Sequence, residues 1–336
     1  GIFGMLIPKK YGGLDFTTHG RSQIVQKLAS RSGALGVVGM VPNSLGPGEL
    51  LTHYGTDEQK ERFLKPMAAG DEIWAQAWSE PGAGSDMAAI RSKAIRDGDE
   101  YVITGQKIWS SRAVFADWCF GLFRTDPESS RHHGLSKILV PLDSPGLTVR
   151  PIAQLDGDPG FAELFFDEVR VPVSNLLGPE NGGWGVAMAT AGFERGLLLR
   201  SPARFQAAAA RLVKLYKQNA NRLSSGIKEQ VLQAWGDTER FTAATYALVA
   251  QVDSGASISS EASANKIFWS EMDRAMHRTA MTIMGMHAEL EEGDGAIENG
   301  RWLDGYMFSL AGPIYAGTNE IQRNILAERV LGLPRQ

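Results

Sequence analysis

The chain has 336 residues, of which 43% are hydrophobic, and its formal net charge at pH 7 is -4. A chain of this length buries a large core in two or three packed units, and its small charge gives no support to a nucleic-acid-binding role. The single cysteine, Cys119, excludes an intrachain disulfide framework and favours a reducing compartment. It lies in the apolar run DWCFGLF, which predicts buried packing rather than catalysis.

Residues 1–73 are predicted to be helical. Apolar residues recur at helical spacing in THGRSQIVQKLASRSGALGVV, and Thr56 followed by Gln59 forms a capping-box pattern. No stretch approaches the roughly eighteen uninterrupted apolar residues of a membrane span. The opening GIFGMLIPKKYGG lacks the charged leader, apolar stretch and cleavage site of a signal peptide and resembles the middle of a domain. We therefore expect a soluble, cytoplasmic protein with no membrane span.

The pattern changes to strands near residue 74. RSKAIRDGDEYVITGQKIWSS contains two β-like runs joined at an Asp97-Gly98 turn, and further short strands follow between Gly and Pro residues. Residues 74–178 are best explained by an antiparallel sheet such as a small barrel. Helical spacing returns from Trp184 onward. The order of helices, then strands, then helices predicts an α+β fold.

Two segments of the strand region could contact a planar ligand. WSEPGAGSD is a glycine-rich loop with the hydroxyls of Ser79 and Ser85, but it does not complete G-x-G-x-x-G and strands follow it. In GQKIWSSRA, Trp109 places an aromatic ring beside Ser110 and Ser111. Considered alone, the first segment is more typical of a structural turn and the second of a core tryptophan.

The two segments indicate more than a turn and a core tryptophan when they are considered together with IPKKYGG, FFDEVRVP and YAGTNEIQRNILAERVLG. These segments occur in the order and spacing of the acyl-CoA dehydrogenase family, which the chain resembles over essentially its whole length. The resemblance implies an N-terminal helical domain (1–73, truncated at its start), a middle antiparallel β-domain (74–178) and a C-terminal four-helix bundle (179–336). It also implies FAD between the middle sheet and the bundle, with an acyl-CoA substrate on the re face of the flavin.

The resemblance assigns roles to individual positions. Ser79 is expected to hydrogen-bond the flavin ring, Trp109 to stack beside it and Ser111 to lie near its N5 edge. The full set expected to contact FAD is Gln76, Trp78, Ser79, Gly84, Ser85, Trp109, Ser110, Ser111, Thr318 and Glu320. The positions expected to contact the substrate are Ser85, Arg195, Ala316 and Gly317.

The expected reaction needs a carboxylate base, because the α-proton of a thioester is weakly acidic. Many family members carry this glutamate just after the tyrosine of the closing loop, where this chain has Ala316. Others, of the isovaleryl- and long-chain type, carry it on the first long helix of the C-terminal domain, where this chain has TAGFERGLLL. The resemblance therefore predicts Glu194 as the base and Arg195 near the substrate nucleotide. The backbone N–H of Ala316 would face the thioester oxygen. A solvated Glu-Arg pair on a helix surface is the alternative.

The resemblance also implies electron-transfer flavoprotein as the electron acceptor, a role in fatty-acid or other lipid metabolism, and a homodimer or homotetramer. NANRLSSGIKEQ and TIMGMHAEL depart from the family segments that reach the FAD of a neighbouring subunit, so a hetero-oligomer stays open. Two other functions are also open alternatives, a non-catalytic partner subunit and a flavin monooxygenase or oxidase on the same fold. The six histidines show no ligand spacing, and we predict no metal.

Overall fold

The computed structural model describes residues 2–29, 44–195, 202–254 and 261–334. The chain forms two compact units. The first unit contains the sheet and the helices between residues 49 and 195, and the second contains the helix at Thr18–Ala29 together with the helices from residue 202 onward. The helices are α1 (Thr18–Ala29), α2 (Glu49–Tyr54), α3 (Asp57–Ala69), α4 (Gly183–Arg195), α5 (Pro202–Asn219), α6 (Ser225–Asp253), α7 (Glu261–Met284), α8 (Arg301–Ala311) and α9 (Asn319–Arg329).

The first unit is built on one eight-stranded sheet. Its strands are β1 (Trp74–Ala77), β2 (Lys93–Asp97), β3 (Glu100–Ser111), β4 (Trp118–Arg124), β5 (Leu135–Pro141), β6 (Leu147–Ile152), β7 (Phe161–Pro172) and β8 (Leu176–Leu177). Neighbouring strands follow the order β6-β7-β3-β2-β4-β5-β8, and β1 pairs with β4. Helices, strands and helices in this order confirm the predicted α+β class.

The sheet is mixed, which corrects the expectation of a wholly antiparallel sheet. β1 runs parallel to β4, with Trp74 opposite Trp118, and β2 meets β4 in parallel at Lys93 and Arg124. Parallel neighbours need a long connection, and here the β2–β3 hairpin lies between β1 and β4 in sequence. That hairpin is antiparallel as predicted, and its tight turn contains Gly98 at a φ of 63°.

β4 and β5 are almost entirely buried. Alternate residues of β4 belong to two different apolar clusters, with Phe120 and Leu122 in one and Cys119 and Phe123 in the other. Because successive side chains of a strand point to opposite faces, apolar side chains cover both faces of the sheet here. Cys119 is fully buried as predicted, and burial raises the pKa of its thiol to about 12.

Helix α3 is fixed at its start and along its buried face. The Thr56 hydroxyl accepts from Gln59 N at 3.2 Å, and the Gln59 side chain accepts from Thr56 N at 3.1 Å, which confirms the predicted capping box. Phe63 meets the rings of Trp74 and Trp118 edge-on, with centroids 5.2 and 4.9 Å away. These contacts attach α3 to the paired strands β1 and β4.

The second unit is a helical bundle around its own core. Helix α7 contacts α5, α6, α8 and α9, and α1 packs against α5 and α6. The core includes Phe205, Phe241, Met276 and Trp302. Pro202 is the first residue of α5, where a missing N–H is tolerated because the first turn has no partner for it. Among the helices of the described residues, none combines the length and the apolar character that crossing a bilayer requires.

Candidate active site

The glycine-rich loop after β1 is closed on itself and attached to β3. Glu80 and Ala83 exchange backbone hydrogen bonds of 3.1 and 3.0 Å across the loop. Ile108 N donates to the Ser79 carbonyl at 2.9 Å. A side-chain carbon added at Gly84 would meet no atom within 4 Å, so this position borders open space.

Trp109 lies in a β-bulge of β3. Two residues of β3 stand opposite one residue of β7 between Lys107 and Ser110. Trp109 has a φ of 59°, its exposed fraction is 56%, and its ring meets Phe161 edge-on at 5.9 Å. The bulge thus keeps this indole out of the core and leaves it free to contact a ligand, while the next residue, Ser110, is buried.

A buried ion pair joins the loop to the strand that carries the bulge. The ammonium of Lys107 is wholly buried and donates to Glu80 Oε1 at 2.8 Å. It also donates to the carbonyls of Trp78 at 3.1 Å and Leu122 at 2.6 Å. The Glu80 carboxylate accepts from two backbone N–H groups beyond the loop, at 2.6 and 2.9 Å. Loop and bulge are therefore fixed relative to each other.

The surroundings shift the pKa values of both partners. Burial lowers the pKa of Lys107 to about 8, although the neighbouring Glu80 carboxylate opposes the shift. Burial acts to raise the pKa of Glu80, but the Lys107 ammonium and the hydrogen bonds to the carboxylate outweigh it and lower that pKa below its ordinary value. Glu80 therefore stays ionised at neutral pH.

The sequence contained a signal for this pair that our site prediction missed. Tyr101 and Ile103 are buried alternate residues of β3, and Lys107 continues the same alternation past Gly105. A lysine at an inward-facing position needs a partner, because an unpaired buried charge is very costly. The acidic residue of the neighbouring loop, Glu80, was the available candidate.

Several hydroxyls of the loop and of the end of β3 have no hydrogen-bond partner in the described part of the chain. Within the described part of the chain, the hydroxyls of Ser79, Ser85 and Ser111 form no hydrogen bond, and the buried hydroxyl of Ser110 has no partner either. A buried polar group without a partner costs about 1–3 kcal/mol. That cost applies to Ser110, which is fully buried. Ser79, Ser85 and Ser111 are at least partly exposed, so their hydroxyls can reach a ligand. With the exposed ring of Trp109, they fit a planar heterocycle with polar edges, as the isoalloxazine of FAD is.

Two other predicted cofactor residues, Gln76 and Trp78, lie on or directly after β1. Gln76 is half-buried on β1, opposite Phe120. Trp78 has an exposed fraction of only 6%, and Lys137 Nζ lies over its ring, 3.8 Å from the ring centre. The Trp78 indole thus belongs to the core, and its carbonyl is the group turned toward Lys107.

In the second unit, the loop before α9 has an unusual backbone. Ala316 and Gly317 have φ values of 55° and 79°. Gln322 Nε2 donates to both of their carbonyls, at 3.2 and 3.4 Å. A side-chain carbon at position 317 would lie 2.5 Å from that nitrogen, and residues with a side chain rarely adopt a φ of 79°, so the position strongly favours glycine. Thr318 is the N-cap of α9, and its hydroxyl accepts from Ile321 N at 3.2 Å.

Asn319 anchors the same loop to α7. Its Oδ1 accepts from Lys266 Nζ at 2.8 Å and from Ser270 Oγ at 3.1 Å. Its Nδ2 donates to Glu271 Oε1 at 2.9 Å. Its backbone N–H donates to the Pro313 carbonyl at 2.8 Å, which closes the loop. Asn319 was not among the residues predicted from sequence.

The loop also leaves donors free. The backbone N–H groups of Ala316 and Gly317 donate to no acceptor among the residues that the structure describes. They are available to a ligand oxygen. Glu320, predicted to contact the cofactor, has a side chain with an exposed fraction of 77%, and its carboxylate lies 3.7 Å from Arg323 Nη1.

Glu194 and Arg195 belong to helix α4. This helix begins in close contact with the sheet, because a side-chain carbon at Gly183 would lie 2.6 Å from the Ser136 backbone. Thr190, one turn before Glu194, is fully buried. The side chains of residues 191–195 lie outside the described part of the structure, so the base role of Glu194 stays a prediction.

The histidine side chains that the structure describes lie in different environments. His132 and His133 are exposed, whereas His277 is buried with Nδ1 3.1 Å from Asp273 Oδ1. Asp273 also accepts from Arg204 Nη2 at 2.7 Å. Over the described ranges, no group of three or more His, Cys, Asp or Glu residues is arranged to hold a metal ion.

Comparison with known families finds matches along almost the entire chain. The family model described as acyl-CoA dehydrogenase, N-terminal domain, matches residues 1–71. The model of the middle domain matches residues 75–169, and that of the C-terminal domain matches residues 181–331. The loop, the bulge and the loop before α9 all fall inside these matches.

Individual relatives of the chain are also acyl-CoA dehydrogenases. Acyl-CoA dehydrogenase IpdE1 of Mycobacterium tuberculosis is 38% identical over 98% of this chain and 84% of its own length. The solved structure of the Tcur3481-Tcur3483 steroid ACAD matches with a TM-score of 0.89 and 29% identity, over 99% of this chain and 86% of that one. The ChsE4-ChsE5 complex from Mycobacterium tuberculosis matches with a TM-score of 0.85 and 30% identity, over 99% and 87%. The chain belongs to the acyl-CoA dehydrogenase family, whose members are FAD-binding oxidoreductases that act on CH–CH groups.

Proposed function

We propose that this protein dehydrogenates an acyl-CoA thioester between its α- and β-carbons and releases the trans-2-enoyl-CoA. The observations that carry the proposal are the exposed Trp109 and the hydroxyls of the same segments that have no partner among the described residues, on a chain of this family. FAD, when bound, supplies the acceptor for the β-hydrogen, which leaves as a hydride. The residues proposed to hold FAD are Gln76, Trp78, Ser79, Gly84, Ser85, Trp109, Ser110, Ser111, Thr318 and Glu320.

Glu194 is the proposed base. A carboxylate must remove the α-proton, and Ala316 offers no ionisable side chain from the position that many family members use. Glu194 stands among apolar residues in AGFERGLLL. An apolar environment raises the pKa of a carboxyl group toward neutrality, which makes it a stronger base.

The loop before α9 is proposed to polarise the thioester. The N–H groups of Ala316 and Gly317 have no acceptor within the described residues, so they can donate to the thioester oxygen as negative charge develops on it. Loss of one such donor typically costs about 10²–10³ in rate. Ser85 and Arg195 are proposed to contact the CoA portion, for which the cationic guanidinium of Arg195 suits a phosphate.

The test is anaerobic reduction of the FAD-loaded protein by acyl-CoAs, followed through loss of the visible flavin absorbance. Glu194→Gln should slow this reduction by about 10²–10⁴-fold, with flavin content and fold unchanged. Glu292→Gln is the matched control, because Glu292 is exposed and lies between α7 and α8. Unchanged reduction in Glu194→Gln would exclude Glu194 as the base. A flavin that no acyl-CoA reduces would refute the reaction.

We propose a CoA thioester with a bulky, ring-bearing acyl group as the substrate, because a similar solved structure is a steroid ACAD. The proposed electron acceptor is electron-transfer flavoprotein, and the proposed location is the cytoplasm. A panel of straight-chain and ring-bearing acyl-CoAs, compared through kcat/KM, tests the substrate class. Preference for straight chains would instead indicate a role in fatty-acid metabolism.

A second candidate is a partner subunit in a two-component dehydrogenase. One similar solved structure is the ChsE4-ChsE5 complex, and another is named for two chains, Tcur3481 and Tcur3483. The departures in NANRLSSGIKEQ and TIMGMHAEL also favour FAD contacts from a different chain. Purified alone, such a subunit would contain no flavin, whereas a homodimer or homotetramer would retain it. Rapid oxygen consumption with no response to acyl-CoAs would indicate an oxidase or monooxygenase.

A further inference from the structure

Lys107 is a wholly buried cation that the proposed proton and hydride chemistry does not use. Its ammonium makes three hydrogen bonds, to Glu80 Oε1 at 2.8 Å, Trp78 O at 3.1 Å and Leu122 O at 2.6 Å. Replacement of a buried ion pair by apolar side chains is often neutral or even stabilising, because the charges no longer have to leave water. Stability alone therefore does not explain a lysine at this position.

One of the three bonds reaches a peptide group on the loop. The Trp78 carbonyl and the Ser79 N–H belong to the same peptide, and in a trans peptide these two groups point in opposite directions. The carbonyl is turned toward the buried Lys107, so the N–H is turned away from it. Among the described residues, no acceptor takes a hydrogen bond from Ser79 N.

A cation on the carbonyl oxygen changes the other end of the peptide. It draws electron density through the amide, and hydrogen bonds in such a chain polarise one another, so the N–H becomes a stronger donor. Glu80 moderates this effect, because its carboxylate lies 2.8 Å from the same ammonium. The two backbone N–H groups that bond Glu80, at 2.6 and 2.9 Å, keep this opposing charge in place.

We infer that Lys107, acting through the Trp78–Ser79 peptide, strengthens the Ser79 N–H as a donor to the flavin ring and so favours the reduced flavin. The inference rests on the proposed function, since it requires a flavin against Ser79. A reduced flavin ring carries more negative charge than an oxidised one, so a stronger donor stabilises the reduced form more. Lys107 is in this sense a positioning residue, and Glu80 sets the strength of its effect.

The experiment measures the midpoint potential of bound FAD with a chemical reductant and an indicator dye. In Lys107→Met, the affinity for reduced relative to oxidised flavin should fall at least tenfold, which lowers a two-electron potential by about 30 mV. In Glu80→Gln, the opposing charge is lost and the potential should rise. Arg170→Met is the control, because its ion pairs with Asp97 and Glu100, at 2.9 and 3.0 Å, are exposed on the same sheet.

Opposite shifts in the two variants support the inference, because general damage to the site would move both potentials in one direction. Equal potentials, or shifts of the same sign, overturn it. If Lys107→Met does not retain FAD, the sign of the shift in Glu80→Gln decides alone. Chemical reduction needs no acyl-CoA, so a wild-type flavin that acyl-CoAs fail to reduce would refute the proposed reaction and leave this inference standing. A wild-type protein that binds no FAD would refute both.

Discussion

Asn319 connects the loop before α9 to helix α7 through its side chain, and Asn319→Ala would remove those contacts together. Three hydrogen bonds are lost, with Lys266 at 2.8 Å, Glu271 at 2.9 Å and Ser270 at 3.1 Å. A hydrogen bond to a charged group contributes about 1.5–3 kcal/mol and a neutral one about 1 kcal/mol. Taking the lower values, and allowing for water that enters the space, we expect the free energy of unfolding to fall by about 3–4 kcal/mol.

The assay is urea unfolding of the FAD-loaded protein at fixed concentration, with Asn324→Ala as the matched control. Asn324 is an exposed residue of the same helix, so its replacement should change stability by no more than about 0.5 kcal/mol. Asn319→Ala should also lower kcat/KM, because the donors of the loop lose their fixed position. A free energy of unfolding within about 1 kcal/mol of the control would refute the reasoning that these bonds hold the loop.

Two further predictions concern packing and pH. In Gly305→Ala, the added carbon would lie 2.4 Å from His277 Nε2 and should lower the free energy of unfolding by about 1–3 kcal/mol. In Gly236→Ala, on α6, the added carbon meets no atom within 4 Å and should raise it by about 0.5–1 kcal/mol. Thermal unfolding of both variants tests this, and shifts of the melting temperature in the same direction would contradict it. Lys107 has a pKa of about 8 in the folded protein and 10.5 as its ordinary value, so between these pH values the unfolded chain binds more protons and stability rises with pH. The contribution of Lys107 to the free energy of unfolding should grow by up to about 3 kcal/mol as the pH rises from about 7 to about 10. In urea unfolding, wild type should therefore become more stable relative to Lys107→Met over this range. If wild type instead became less stable relative to the variant, the prediction would be excluded.

Features encoded by neighbouring residues were predictable from the sequence. The Thr56–Gln59 capping box depends on residues three apart, and the β2–β3 hairpin on a turn at Gly98. The burial of Cys119 followed from its apolar neighbours. Each of these signals lies within a few residues of the structure it specifies, so a local pattern was sufficient.

Features that join distant segments were not predictable in the same way. The parallel pairing of β1 with β4 depends on how the chain returns after the hairpin, which no local pattern records. Trp109 interrupts the ladder between β3 and β7, so strand alternation alone does not give its orientation. Lys107 and Glu80 are 27 residues apart, and only the fold shows that their charges meet.

The contacts that hold the loop before α9 do not depend on the side chain at position 316. A left-handed conformation costs a residue with a Cβ roughly 1–2 kcal/mol, so the φ of 55° at Ala316 must be imposed by its surroundings. Gln322 bonds the carbonyls of Ala316 and Gly317, and Asn319 fixes the start of the following helix. None of these contacts uses the Ala316 side chain. The loop therefore keeps its backbone and its free N–H with only a methyl group at position 316, and the base can be supplied from another part of the chain, as we propose for Glu194.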